Sequence, residues 1–554
     1  MKKTKVVTII LPVVFMIFFT SCKNKHVDKI FYNGKIYVVD NNFSMVEAIA
    51  VENGKVKETG MQDEILDDYE ADEKIDLQGG TVFPGFIDGH CHFYGYSTGL
   101  LTCDLSGTAS FDEILARIQD YSSTNKFEWI LGRGWDQNDW ENKDYPTKEI
   151  LDSLFPNTPV FLMRVDGHAV LCNSKSLEIA NLNTSTKIEG GEIIQKDGKL
   201  TGILIDNAVD LVKSKIPPFN DVLIEDALLQ GQANCFAVGL TTVVDAGLGK
   251  DSIFTMLELQ RKGKLKMRVY AMISDDPKTL EYFFKNGPYK DARMNINAIK
   301  VYADGSLGSR GACMIDEYND MPGHYGFMLH TKEYFDRIAG QALNYGFQLC
   351  THAIGDSANE FVIKLYSRHL SSENHRRWRI EHCQVINPKD RKAMCKYSII
   401  ASVQPTHATS DMYWVEERIG KERLPYAYAY EDIRDECEGI IVFGTDFPVE
   451  SINPIYTFYA AVARKDLKGF PKNGFQPENK IKRKEAIKAM TIHAAYANFE
   501  EEEKGSLEEG KYADFVVLDR DLMQVDEKSI PKTKVIATYI NGEKVYDSSS
   551  IKER

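Results

Sequence analysis

The stretch GFIDGHCHF, residues 85–93, ends an apolar run with two histidines two positions apart. In a strand, alternate side chains face the same way, so His90 and His92 aim at one point while Cys91 faces away. Two imidazoles on one point are half of a metal site; a solvated pair on a sheet edge is the competing reading. The rest of the chain has to decide between them. Seven more β-branched or apolar runs follow TVFPGFIDGH (81–90): LTTVVDA (240–246), KMRVYAMI (266–273), NINAIKVYADG (295–305), FQLCTHAIG (347–355), WRIEHCQ (378–384), YSIIASVQP (397–405) and GIIVFGTDFPV (439–449). Most are separated by segments long enough for a helix, such as 251–264 and 331–345. Strands alternating with helices give a parallel sheet, and eight such strands close a TIM barrel. The predicted fold class is therefore α/β, a (β/α)8 TIM barrel.

The polar residues then acquire a pattern. His90 and His92 end the first run, Lys300 lies in the fourth, His352 and His382 end the fifth and sixth, and Asp446 ends the eighth. Side chains at the C-terminal ends of barrel strands converge over one mouth, where active sites of this fold lie. A lone histidine at a strand end is usually a satisfied core residue, but five strands would have to coincide by accident. Four histidines and a carboxylate suit zinc, with manganese or iron as alternatives, because neutral imidazole and carboxylate are borderline ligands.

The ends of the chain speak of location. MKKTKVVTIILPVVFMIFFTSC begins with Lys2, Lys3 and Lys5, continues as an apolar run over 6–19, and closes with Thr20, Ser21 and Cys22. That run is shorter than the ~20 residues of a membrane span and has the layout of a secretory signal. The small residues before Cys22 are similar to a bacterial lipoprotein cleavage site, with Phe19 where Leu is commoner. The expectation is a signal peptide over 1–21 and a mature chain lipidated at Cys22, anchored on the periplasmic side or in the outer membrane; an uncleaved anchor would export the protein equally. A net charge of -14 argues against nucleic acid as a partner. Beyond Cys22 there are nine cysteines without regular spacing, most inside apolar runs, which reads as buried thiols and not as a disulfide framework.

GFIDGHCHF, IKVYADGSLGSRGA (299–312), THAIGD (351–356), IEHCQ (380–384) and GTDFPVE (444–450), in this order, resemble the amidohydrolase superfamily, specifically amidohydrolase family 3, the branch containing N-substituted formamide deformylase. The resemblance spans about residues 28–548; Gly89 and Thr445 stand where the branch more often has Ser. It implies two divalent metal ions bridged by a carboxylated lysine, carried over here to Lys300. Electrostatics points the same way: an ammonium ~4 Å from a divalent ion is repelled by roughly 8 kcal/mol at an effective dielectric of ~20. A Lys300 that pairs with a carboxylate outside the ligand set is the alternative. By the resemblance, one metal takes His90, His92, the carbamate and Asp446, and the other takes the carbamate, His352 and His382. A metal-bridging hydroxide attacks the substrate and catalytic Asp446 relays its proton to the departing amine. The implied activity is hydrolysis of a C–N amide-type bond, other than a peptide bond, in a small molecule. A mononuclear deaminase of the same superfamily and a non-catalytic solute-binding lipoprotein are the alternatives.

Between His92 and Leu240 lie far more residues than the ~30 of one βα unit, so an insertion over about 95–238 is rooted at the mouth. Its stretches GRGWDQNDW (132–140) and MRVDGHAVLCNS (163–174) resemble pocket-lining stretches of the family, which makes Trp135, Asp136 and His168 candidate substrate contacts beside weaker candidates Arg310 and His324. His407, after the seventh run, lies at the mouth by position. IFYNGKIYVVD (30–40) and YINGEKVYD (539–547) each place Asn-Gly between β-rich runs, a hairpin signal. With ADFVVLD (513–519) they suggest a small β-sandwich from both ends of the chain, over 22–84 and 503–554, flanking a barrel over 85–502. A homodimer is left open.

Overall fold

The computed structural model describes residues 25–125, 128–437 and 440–550; the expected signal segment and Cys22 lie outside the described residues. Eight parallel strands form the central sheet: β1 (Phe86–Cys91), β2 (Leu240–Leu248), β3 (Arg268–Ser274), β4 (Met294–Tyr302), β5 (Gln348–Ala353), β6 (Arg379–His382), β7 (Ile400–Val403) and β8 (Ile441–Phe443). Each pairs with its neighbour in chain order, from β1 through to β8. Helices such as Lys250–Arg261, Lys332–Tyr345 and Asp356–Ser367 return the chain between strands. Ile87, Val244, Tyr270, Met272, Ala298, Cys350, Ile400 and Val442 fill the barrel interior, so it is a packed core and not a pore.

Closure of the barrel depends on two glycines. A Cβ on Gly89 would lie 2.3 Å from Val442 Cγ1, and one on Gly444 would lie 2.5 Å from the backbone N of His90. With no side chain on either, β1 and the end of β8 come together: Asp446 N donates to His90 O at 2.8 Å, and Thr445 donates to Asp88 from both N (3.0 Å) and Oγ1 (2.7 Å). Gly89, Gly444 and Thr445 thus seal the seam between β1 and β8.

The run TVFPGFIDGH is two elements. Thr81–Pro84 belongs to a six-stranded sheet with Phe515–Leu518 and Lys35–Tyr37, and Phe86–Cys91 to the barrel, with Gly85 between them. That sheet packs on a four-stranded one, Lys55–Gly60, Ala48–Glu52, Lys25–Tyr32 and Tyr69–Asp76, over a core that includes Phe31, Ile49, Val82, Phe515 and Tyr539. Asn541-Gly542 makes the expected hairpin, joining Val535–Ile540 to Glu543–Asp547. Asn33-Gly34 does not. It carries the chain from one sheet to the other, because the strands before and after it pair with different partners and the Asn33 side chain is tied to Asp76 at 2.7 Å.

Within 95–238, six strands from Cys103–Asp104 to Lys199–Asp206 form a separate sheet with its own apolar core. The last part of the expected insertion, helix Asp221–Ala237, is instead barrel structure: its Leu228, Cys235 and Phe236 join the main core beside Phe93. Among the described residues seven cysteines are thiols, six of them buried, and a disulfide joins Cys395, in the outer helix Pro388–Lys396, to Cys437 at the end of the helix Tyr430–Glu436.

Candidate metal centre

The period of two along a strand explains which residues reach the barrel mouth. Lys300 follows the interior Ala298 by two positions on β4, and His352 follows the interior Cys350 by two on β5. His382 ends β6 and Asp446 lies three residues beyond β8, both on left-handed backbone at φ 77° and 61°. For non-glycine residues that conformation costs on the order of 1–3 kcal/mol and is characteristic of functional sites.

These side chains meet. Asp446 Oδ1 lies 3.2 Å from His92 Nε2 and 3.7 Å from His90 Nε2, and Lys300 Nζ lies 3.2 Å from His90 Nε2. The rings of His90 and His382 are 4.9 Å apart and those of His352 and His382 are 4.5 Å apart. The donor atoms of His90, His92 and Asp446 fall within 4.8 Å of one another, and so do those of His382, His407 and Asp446. The second trio brings His407 beside a carboxylate the sequence assigned only to other ligands; His352 falls outside both trios.

Each ring is turned by a partner on its far nitrogen. His90 Nδ1 faces Glu381, His92 Nδ1 donates to Ala246 O at 3.0 Å, and His382 Nδ1 donates to Gln404 Oε1 at 2.7 Å, leaving all three Nε2 atoms directed to the centre. His352 is turned the other way, with Nε2 3.4 Å from Gly305 O. Glu381 is itself held by Arg379, which donates from Nε (2.5 Å) and Nη2 (3.0 Å) and also reaches Gly89 O and Ser402. Glu381, Arg379 and Gln404 were not singled out in the sequence.

Burial pushes His90 down to about 4 and holds His352 and His382 well below the usual histidine range. All three carry a free lone pair at neutral pH. Burial raises Asp446, but its contacts with His92 and the other surrounding imidazoles outweigh that and keep the carboxylate ionised. Burial also lowers Lys300, which is 1% exposed. No carboxylate lies within 4.0 Å of its Nζ among the described residues, so the expected alternative of an outside ion pair has no partner here. The donor set fits divalent metal: neutral imidazoles and an ionised carboxylate on one point, with the buried His407 Nε2 making no hydrogen bond among the described residues.

Above the centre opens a cavity of about 490 Å³ lined by His92, Lys300, His352, His382, His407 and Asp446, together with Asp136, Arg164, His168, Tyr302 and Trp414. Asp136 reaches it while ion-paired to Arg164. Three sequence candidates do not line it. Trp135 is 1% exposed and sits in the insertion core, donating to Leu162 O at 2.8 Å, because neighbours on a strand face opposite sides. Arg310 pairs with Asp320 at 2.9 Å, and His324 Nε2 donates to Arg310 O at 2.8 Å, so both serve the loop after β4.

A parallel barrel with histidines and an aspartate gathered at its C-terminal mouth defines a metal-dependent hydrolase fold. The chain belongs to the amidohydrolase family, whose sequence profile it matches over residues 73–546. It is 32% identical to YtcJ of Bacillus subtilis over 537 residues, covering 94% of this chain and 99% of that protein. To N-substituted formamide deformylase of Arthrobacter pascens it is 26% identical, covering 93% and 97%. Among solved structures it is similar to a metal-dependent hydrolase of uncharacterized function from Pyrococcus horikoshii OT3, with a TM-score of 0.73, 27% identity, and 90% and 99% of the two chains covered.

Proposed function

We propose that this protein is a dinuclear amidohydrolase that hydrolyses the C–N bond of a small-molecule amide. The observation that carries this reading is the gathering of His92, His352, His382, Asp446 and a buried Lys300 without an ion-pair partner on the floor of one cavity, with His90 directly beneath beside Lys300 and Asp446. His90, His92 and Asp446 would hold one ion, His352 and His382 the other, with a Lys300 carbamate between them. Bound divalent ions supply Lewis acidity, which brings water toward a pKa of ~7 and polarises the scissile carbonyl. Burial favours the neutral Lys300 amine. That amine can add to carbon dioxide, forming an N–C bond and releasing one proton, and the product is an anion where a cation could not stay. Asp446 takes a proton from the attacking water and returns it to the nitrogen as the C–N bond breaks. The cavity falls in the ~300–1,000 Å³ range of small-molecule sites, which supports a small substrate over a polymer.

The test is a panel of N-acyl amines, N-acyl amino acids and cyclic amides assayed with zinc-, manganese- and iron-loaded protein, with metal counted per chain. Two ions per chain and release of a free amine are expected, with loss of activity on chelation. One ion per chain with turnover of ring amines and none of amides would replace this reading by the deaminase.

The reading includes export as a lipoprotein through Cys22. The Cys395–Cys437 disulfide supports an oxidising compartment, since structural disulfides persist there and are rare in a reducing cytosol. Cys22→Ala should move the protein out of the membrane fraction or leave it unprocessed; unchanged labelling of that variant by a fatty-acid probe would sink the lipid anchor.

A further inference from the structure

The chemistry proposed above uses the floor of the cavity and leaves its wall unassigned. Gln384 lines that wall and is 3% exposed. Its Nε2 donates to the Tyr428 hydroxyl at 2.8 Å, an orientation fixed because that hydroxyl gives its own proton to Asp411 Oδ2 at 2.7 Å. Gln384 Oε1 is left as an acceptor, and it receives no hydrogen bond among the described residues. Asp411 and Glu450 stand on either side of Ser410, whose Oγ lies 2.6 Å from Glu450 Oε1 and 3.4 Å from Asp411 Oδ1. A hydroxyl has one proton to give, and the shorter contact takes it. Asp411 Oδ1 and Glu450 Oε2 are therefore left without a donor, on side chains that line the cavity.

The protein cations that could answer these oxygens are absent or engaged. No Lys, Arg or His nitrogen lies within 4.0 Å of the carboxylates of Asp139, Asp411 or Glu450 among the described residues, and all three line the cavity. Arg164, the one arginine on the lining, is 1% exposed and donates to Gln137 Oε1 at 2.9 Å, to Asp166 Oδ2 at 2.6 Å and to Asp136. One guanidinium between two carboxylates leaves a net negative group. His168 also has its carboxylate partner, Asp206 Oδ1 at 2.6 Å, an acid cradled where a Cβ on Gly305 or on Gly311 would lie 2.3 Å from its Oδ2. Burial raises Glu450 and pushes Asp411 up to about 7, and the nearby Glu450 adds to the rise of Asp411. Carboxylates sharing one cavity without a counter-charge are hard to ionise, and a cation brought among them offsets that cost.

We propose that this wall selects substrates bearing a positive charge, an ammonium or a guanidinium, away from the scissile bond, with Asp411, Glu450 and Gln384 Oε1 as the groups that receive it. The proposal rests on the amide-hydrolysis reading above. An ammonium or guanidinium brings several N–H donors and the missing charge together, so it satisfies the amide oxygen and the carboxylates at once. A substrate carboxylate meets the reverse, acceptors facing acceptors and an arginine already spent. The chain also sets the wall off from the floor. Asp411 lies one turn beyond His407 on the helix Pro405–Asp411, and Glu450 follows Asp446 by four residues. A charge held there stands away from the proposed ions. The preferred substrates are thus acyl derivatives of an amine with a second basic group, or amides of a basic acid, and an N-acyl amino acid whose only charge is its carboxylate is disfavoured.

The experiment runs two isosteric series on the metal-loaded protein, because the charge can stand on either side of the amide. The first varies the amine: N-acetyl-1,4-diaminobutane, N-pentylacetamide and N-acetyl-4-aminobutyrate. The second varies the acyl group: the anilides of 5-aminopentanoic, hexanoic and glutaric acids. In at least one series the cation should exceed the neutral compound by about tenfold in kcat/KM and the anion by about 100-fold, the range of one or two charge-assisted hydrogen bonds. Asp411→Asn and Glu450→Gln keep the shapes of the side chains and should each lower the cation-to-neutral ratio by about fivefold. Metal content and a cooperative melt verify that both variants fold. A neutral or anionic compound preferred in both series, or an unchanged ratio in both variants, would overturn the charge selection and leave the hydrolase reading standing. If no amide is turned over, calorimetry with the same compounds reads the wall alone. Tighter binding of the cations would then keep the wall and overturn the hydrolase reading, and binding without regard to charge would overturn both.

Discussion

Asp446→Asn should keep most of its bound metal and lose nearly all turnover, by ~10³–10⁴-fold in kcat, the upper range for removal of a general acid–base group. The carboxamide still offers an oxygen at the position of Oδ1, 3.2 Å from His92 Nε2 and 3.7 Å from His90 Nε2, so the coordination geometry can persist. What it lacks is a site for a proton. In the parent chain its contacts at the cavity floor keep this carboxylate ionised against the cost of burial, which makes it ready to accept. Because the product nitrogen must be protonated as it leaves, a variant that cannot carry the proton stalls at bond cleavage and not at binding. Metal analysis and steady-state kinetics on the best amide of the panel check the two halves separately. A variant within tenfold of the wild-type rate would remove Asp446 from proton transfer.

What the sequence disclosed and what it concealed follow from the same rules. His90, His92, Lys300, His352 and His382 were legible because strands alternate and their C-terminal ends converge, so a local pattern carried long-range information. Glu381 and Arg379 stood in plain view within WRIEHCQ, but nothing local says that Glu381 turns toward a histidine 291 positions away. In GRGWDQNDW the sequence could not tell the two faces of Ile130–Trp135 and the turn after it, and so grouped a core residue, Trp135, with a cavity residue, Asp136. DGSLGSRGA drew notice to Arg310, yet Gly305 and Gly311 are the residues that shape the site, through a carboxylate nearly one hundred residues earlier. Asn33-Gly34 and Asn541-Gly542 carry one signal and only the second turns a hairpin, because a dipeptide fixes the turn and not which sheet takes the next strand. Lys300 is the converse case, a residue whose placement was clear while its chemical form was not.

That form sets the largest remaining effect. Lys300→Ala should lose one of two metal ions per chain and nearly all activity, more than the ~100-fold that follows loss of a group standing behind a ligand. Two divalent ions on one cavity floor repel one another, and the anion between them is what lowers that repulsion. The surrounding rings are locked from behind by Glu381, Ala246 O and Gln404, so the alanine variant should keep its imidazoles in place around a gap of carbamate size. A short carboxylic acid can fill that gap with two oxygens near those of the carbamate. Acetate or propionate should therefore restore the second ion and the activity together, saturably, while leaving the wild type unchanged. Metal counting at each acid concentration separates this from a general salt effect, since formic and propionic acids should differ in potency with size where an ionic-strength effect would not. An alanine variant that holds two ions and turns over amides normally without added acid would show that Lys300 bridges nothing, and the single-metal deaminase would then be the better account of the site.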